Sequence, residues 1–294
     1  MSIVTCQMSP SQQGLQHGIE TNRVQFLIVV NVSILGVPHD DNSSFLKGAS
    51  EAPGRIRHEL WSDANNLWTE TGVDLGLEGC VHDLGDIDFN GSRDAWALID
   101  SRVDEVLRKH TRPIFLGGDH AITHPILRAV RRHWPELTIL HFDAHPDIYH
   151  DFQGNPRSHA SPFARILEEG LADRLIQVGI RTATGHQREQ IERFRVEMIE
   201  ARHFRDDIDL GIQTPVYISL DIDGIDPAYA PGVSHREAGG LSPRQVINLI
   251  QRINQPIIAA DIVEYNPRCD ISNMTATVAA KLLKEIAGTM VKTG

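Results

Sequence analysis

Cysteine is scarce in this chain. Three occur in 294 residues, Cys6, Cys80 and Cys269, and none has a paired spacing. That excludes a disulfide framework and a thiolate zinc site, and it fits a reducing compartment. Long apolar runs are also missing. The longest, "FLIVVNVSILGVP", is broken by Asn31 and Ser33 and falls short of the roughly 20 residues that span a bilayer. No basic leader or small-residue cleavage site precedes it, so no secretory signal is expected and the cytoplasm is the expected compartment. There is no basic cluster either. The 39 acidic residues outnumber 28 basic ones, a net charge of −11, which argues against a nucleic-acid footprint. No linker or low-complexity tract divides the sequence. Residues 1–23, polar and Gln-rich, are expected to form a flexible tail, and residues 24–294 a single domain.

What the chain does contain is an alternation of two periods. Short β-branched runs, "PIFLGG" (113–118), "TILHF" (138–142), "RLIQVGI" (174–180), "VYISL" (216–220) and "IIAADIV" (257–263), are separated by helix-period segments. Trp96, Ile99, Val103, Val106 and Leu107 mark one apolar helix face, and Ser242-Pro243 is a cap followed by a first-turn proline. Continuous apolar strands between helices predict an α/β domain whose parallel sheet is covered on both faces.

In such sheets ligands collect outside the carboxyl ends of the strands. "PIFLGG" is followed by Asp119-His120, "TILHF" by Asp143-Ala144-His145-Pro146-Asp147, "VYISL" by Asp221-Ile222-Asp223, and "IIAADIV" by Glu264. Four strands thus deliver carboxylates or imidazoles to one edge of the sheet. Solvated acidic loops would show no preference for that edge.

Asp and His without Cys suit divalent ions such as Mn²⁺, Fe²⁺, Co²⁺, Ni²⁺ or Zn²⁺. His120, Asp143, His145, Asp147, Asp221 and Asp223 are too many ligands for one ion and enough for two, and the four carboxylates balance two divalent charges. Carboxylates bridge two metals more readily than imidazoles, and Asp143 and Asp221 are the natural bridges. Paired ions activate a shared water near neutral pH, so hydrolysis is the expected reaction class. "DIDGID" is not an EF-hand loop, because a strand precedes it and the later Glu ligand is missing.

The motifs "GGDH", "DAHPD", "SHASPF", "SLDIDGIDPAYAPGV" and "VEYNP" resemble, in order and spacing, those of the ureohydrolases, the family of arginases, agmatinases and guanidinobutyrases. The resemblance runs from "LGVPHDDNSSF" to the terminal helix and is nearest to plant-type arginases and their bacterial relatives. It implies a three-layer α/β/α sandwich on a mainly parallel eight-stranded sheet, assembled as trimers or hexamers, with two Mn²⁺ ions (Ni²⁺ in some members). It further implies hydrolysis of a small guanidinium compound to urea and an amine, without nucleic-acid or membrane partners. By motif, His120, Asp143, Asp147 and Asp221 would hold one ion, and Asp143, His145, Asp221 and Asp223 the other. Glu264 would pair with the guanidinium, and His159 would carry a proton to the leaving amine. Asp226 would shape its loop, His141 would lie in the core, His150 and Asp151 outside the metal shell, and His235 in a loop near the site.

Substrate discrimination falls to the loops. "GIRTATGHQREQ" places Thr184 and Gln187 where animal-type arginases carry acids, and Ala160 replaces a usual glycine. These departures favour agmatine over arginine, while plant-type arginases share much of the same pattern. Guanidinobutyrate and guanidine are further candidates. A single-zinc deacetylase-type hydrolase needs fewer ligands than are present. A non-catalytic subunit would be expected to have lost one.

Overall fold

The computed structural model describes residues 30–294. The expected tail at 1–23 lies outside the described residues, as does Cys6.

Eight strands form one all-parallel sheet: β1 (Val32–Val37), β2 (Val81–Asp86), β3 (Arg112–Gly117), β4 (Thr138–Phe142), β5 (Arg174–Ile180), β6 (Glu197–Glu200), β7 (Val216–Asp221) and β8 (Ile257–Val263). Their order is β2-β1-β3-β8-β7-β4-β5-β6. The five expected runs are all strands, and the interrupted run at 26–38 supplies β1. Side chains alternate between two cores because strand period is two. Ile114 and Leu116 of β3 enter one core while Phe115 enters the other, and Val216, Ile218 and Leu220 of β7 oppose Tyr217 in the same way.

The first core is closed by α1 (Ala52–Leu60), α6 (Pro243–Gln251) and α7 (Met274–Lys292), and the second by α2 (Ala95–Leu107), α3 (Thr123–His133) and α4 (Pro162–Glu168). Ile191 and Phe194 of α5 (Gly185–Phe194) pack at the margin of the second core. This is the expected three-layer sandwich. In α2 the expected face is buried, with Ile99 and Val103 inaccessible, each worth roughly 1.5–3 kcal/mol relative to exposure. The Asp94 side chain caps that helix by accepting from the amides of Trp96 and Ala97. Ser242 and Gln245 form a capping box on α6 with Pro243 in the first turn.

Consecutive strands β3 and β4 are held apart in the sheet by β8 and β7. The loops leaving β3, β8, β7 and β4 therefore stand side by side at one edge, where the chain's direction of winding changes and a crevice opens. Gly118, just past β3, fits because the backbone carbonyl of His39 passes where a Cβ would sit. No helix among the described residues is long and apolar enough to cross a membrane.

Candidate metal centre and active site

His120 opens a 3-10 turn directly after β3, Asp143 follows β4, Asp221 ends β7, and Asp223 lies in the next 3-10 turn, Ile222–Gly224. Gly224 lets that turn lie against the β4 loop, since a Cβ there would be 2.7 Å from the Asp143 nitrogen. Two donor groups carry the expected ligands, His120/Asp143/Asp147/Asp221 and Asp143/His145/Asp223, each with its ligand atoms within 4.8 Å of one another, and a third combines His120 and Asp143 with His141. All six expected ligands are in them. Asp143 belongs to both groups, as a bridge would, whereas Asp221 falls in the first alone.

The tautomer of His120 tests whether a cation fits. Its Nε2 lies 3.0 Å from Ser219 Oγ, and that hydroxyl donates at 2.8 Å to the buried Asp261. Ser219 therefore accepts from the ring, the ring proton sits on Nε2, and Nδ1 presents a lone pair. That lone pair has no hydrogen bond among the described residues, although carboxylate oxygens of Asp147, Asp221 and Asp143 surround it at 3.0, 3.2 and 3.3 Å. Four acceptors facing one another in a buried space are repulsive unless a cation sits between them. The second group repeats this arrangement, with His145 Nδ1 3.0 Å from Asp223 Oδ2 and 3.4 Å from Asp143 Oδ1.

The crowding shows in the acidities. Burial, then the charges of Asp223 and Asp143, push Asp221 well above the carboxylate range. Burial and Asp143 push Asp223 up to about 6 against the pull of His145. Bound cations reverse that logic. The residues fit a pair of hard divalent ions.

Beside the two groups, His159 Nδ1 lies 2.8 Å from Glu264 Oε1, and the same oxygen accepts the His120 amide at 2.9 Å. Glu264 has a left-handed backbone (φ 62°), held by its amide bond to the Gly118 carbonyl. Such strain at a non-glycine residue persists where surrounding bonds over-determine it. Burial alone would lower His159, but the Glu264 carboxylate prevails and raises the ring to about 9.

A cavity of about 160 Å³ joins His159, Glu264 and the ligand residues to an outer wall of Tyr149, Phe152, Thr182, Thr184 and His235. That is room for one small molecule. His235 lies near both His145 and His159, with ring centroids 6.1 and 5.3 Å away. His150 and Asp151 are exposed and outside both donor groups, and Asp226 accepts the amides of Ala228, Gly239 and Gly240 to shape its loop.

His141 is more than a core residue. Gln177 Nε2 lies 3.1 Å from its Nδ1 and 2.7 Å from the Pro146 carbonyl. The amide donates to both, so the His141 Nε2–H faces Asp143 Oδ2 at 2.8 Å. The sequence carries a signal for it: His141 stands two residues before Asp143, as Ser219 stands two before Asp221, and residues i and i+2 of a strand share a face. Thr184 and Gln187 also acquire a structural role, since they form the capping box of α5. Both also line the cavity.

A sequence profile described as "Arginase family" matches residues 30–288. The chain is 44% identical to "Arginase, mitochondrial" of Medicago truncatula over 90% of this chain and 83% of the relative. It is 45% identical to "Arginase 1, mitochondrial" of Arabidopsis thaliana over 89% and 82%, respectively. The solved arginase from Medicago truncatula superimposes with a TM-score of 0.85 at 44% identity, covering 89% of this chain and 88% of that one. The agmatine ureohydrolase of Thermoplasma volcanium gives 0.77 at 32% identity, over 89% and 90%. The plant names correct the cytoplasmic expectation, because those relatives are mitochondrial proteins. Scarce, unpaired cysteine reports a reducing environment and does not distinguish one reducing compartment from another.

Proposed function

The chain belongs to the arginase family of hydrolases acting on guanidino compounds, and from that premise we propose that it cleaves the guanidinium group of L-arginine to urea and the corresponding amine. The observation that carries the reaction class is the pair of donor groups sharing Asp143 beside the His159–Glu264 pair, in one small cavity. The relatives at 44–45% identity, named arginases, favour arginine over the agmatine suggested by the loop departures.

His120, Asp143, Asp147 and Asp221 would hold one ion, and Asp143, His145 and Asp223 the other. Mn²⁺ suits this Asp/His set, with Ni²⁺ as the second choice. Such a pair, when bound, supplies Lewis acidity and a nucleophilic water near neutral pH. Glu264 orients the substrate: both of its recorded bonds use Oε1, so Oε2 is left for a charge-assisted bond to the guanidinium. His159, held by Glu264, delivers a proton to the departing amine. Ser219 and His141 keep His120 and Asp143 aimed, and the aromatic wall of Tyr149 and Phe152 limits water around the reacting carbon. The resemblance in motif to the ureohydrolases supports assembly into a trimer or hexamer.

The test is urea release from arginine, agmatine, 4-guanidinobutyrate and guanidine, with Mn²⁺ and Ni²⁺ supplied separately. Arginine with Mn²⁺ is expected to show the highest kcat/KM. A higher value for agmatine would overturn the substrate assignment, and no urea from any of the four would overturn the reaction.

A further inference from the structure

Asp261 places a carboxylate within β8, a central strand whose other residues are all apolar. It is fully buried, and among the described residues its side-chain partners are three hydroxyls and no cation. Thr123 and Tyr217 donate to Oδ2 at 2.8 and 2.5 Å, and Ser219 donates to Oδ1 at 2.8 Å. Burying a carboxylate without a cation is costly, and packing alone gives no reason for one here.

The reason lies one hydrogen bond further on. Ser219 of β7 and Asp261 of β8 are register partners, so the sheet itself sets their contact. A serine hydroxyl has one proton to donate, and a carboxylate can only accept. Asp261 therefore claims the Ser219 proton, and Ser219 meets His120 Nε2, 3.0 Å away, only as an acceptor. With the ring proton held on Nε2, the Nδ1 lone pair faces Asp143, Asp147 and Asp221. Resting on the metal-pair reading above, we propose that Asp261 is a positioning residue that makes the first donor group competent to bind its ion. It does so by fixing, through Ser219, which nitrogen of His120 carries the proton.

Asp261→Asn should reverse this chain of bonds with little change of shape. Thr123 and Tyr217 both donate to Oδ2, so they select the carboxamide oxygen for that position and the NH₂ group faces Ser219. Ser219 then accepts where it used to donate. Its own proton either turns to His120 Nε2, which moves the ring proton to Nδ1 and blocks the ion, or stays buried without an acceptor. Either course weakens binding of a cation.

The experiment measures Mn²⁺ affinity by chelator competition on full-length, metal-loaded wild type, Asp261→Asn, Ser219→Ala and the double variant. Asp261→Asn is expected to weaken one of the two ions roughly 10–100-fold and to leave the other within about threefold. Because Asp261 acts through Ser219, its substitution should add less than about twofold once Ser219 is alanine. The same factor in both backgrounds overturns the proposal, since a carboxylate that merely holds Thr123 and Tyr217 acts whether or not the Ser219 hydroxyl is present. Wild-type affinity for both ions in Asp261→Asn also overturns it, while the metal-pair reading stands. If Asp261→Asn does not fold, Ser219→Ala decides: one ion weakened supports the proposal, and both ions held as in the wild type overturn it. A wild type that binds no Mn²⁺ overturns the metal-pair reading and the proposal together.

Discussion

His159 Nδ1 and Glu264 Oε1 meet at 2.8 Å although 105 residues separate them in the chain. The contact ties the loop ahead of α4 to the end of β8, and the same carboxylate oxygen reaches the amide of the ligand His120. One acidic side chain thereby aligns His159, the first donor group and the cavity in which the substrate is proposed to bind.

Glu264→Gln keeps the volume and removes the charge. Metal content should remain two ions per chain, because Glu264 is in neither donor group. A charge-assisted hydrogen bond contributes about 1.5–3 kcal/mol, so kcat/KM for a cationic guanidinium should fall on the order of 10- to 100-fold. Unchanged steady-state kinetics would show that the substrate is oriented by another group.

Asp143→Asn should have a wider effect. Asp143 is the residue common to both donor groups, and His141 also aims at it. Elemental analysis of the purified variant is expected to find both ions depleted and urea production lost. Two ions retained with full activity would refute its bridging role.

Gly118→Ala tests whether the crowded strand end positions the site. A methyl there meets the His39 carbonyl, which belongs to backbone and cannot swing aside. Overpacking of this kind costs typically ~1–3 kcal/mol. Thermal unfolding should move down by several degrees, and the displaced loop, which carries Asn42 and Ser44, should lower kcat more than it alters metal content. A melting temperature equal to wild type would show that the loop yields freely.

Glu70 sets an expectation for pH. Hydrogen bonds from Arg244 first, and then Lys281, outweigh a small burial effect and lower its carboxyl to about 2. Because the folded value lies below the ordinary one, the stabilisation is fully present above about pH 4.5 and is lost as pH falls toward 2. The melting difference between wild type and Glu70→Gln should thus be constant near neutrality and close in acid. The group is partly exposed, so the difference should be modest, about 1–2 °C, and shrink in salt. A difference that persists unchanged at pH 2 would assign it to packing.

The central strands were legible because both faces are buried, so β3, β4, β5, β7 and β8 read as continuous apolar runs. The edge strands were not: β2, "VHDLGD", and β6, "EMIE", are half exposed and mostly polar. Helix α5, "GHQREQIERF", buries only Gln187 and Gln190, so apolar periodicity has little to register. The first helix, α1, begins Ala-Pro-Gly and looks like a turn. In the site, the six donors stood out because each follows an apolar run. Ser44, Asp119 and Asp261, by contrast, act through contacts with no fixed spacing.

The sequence alone therefore determined the class of fold and singled out the six Asp and His side chains that the fold gathers, since strand period and strand ends are local properties of the chain. Tertiary structure decided which distant groups surround those donors: Ser219 behind His120, and Ser44 over His159 from 115 residues away. The first of these pairings depends on β8 and β7 inserting between β3 and β4, a consequence of strand order that no local pattern of residues encodes.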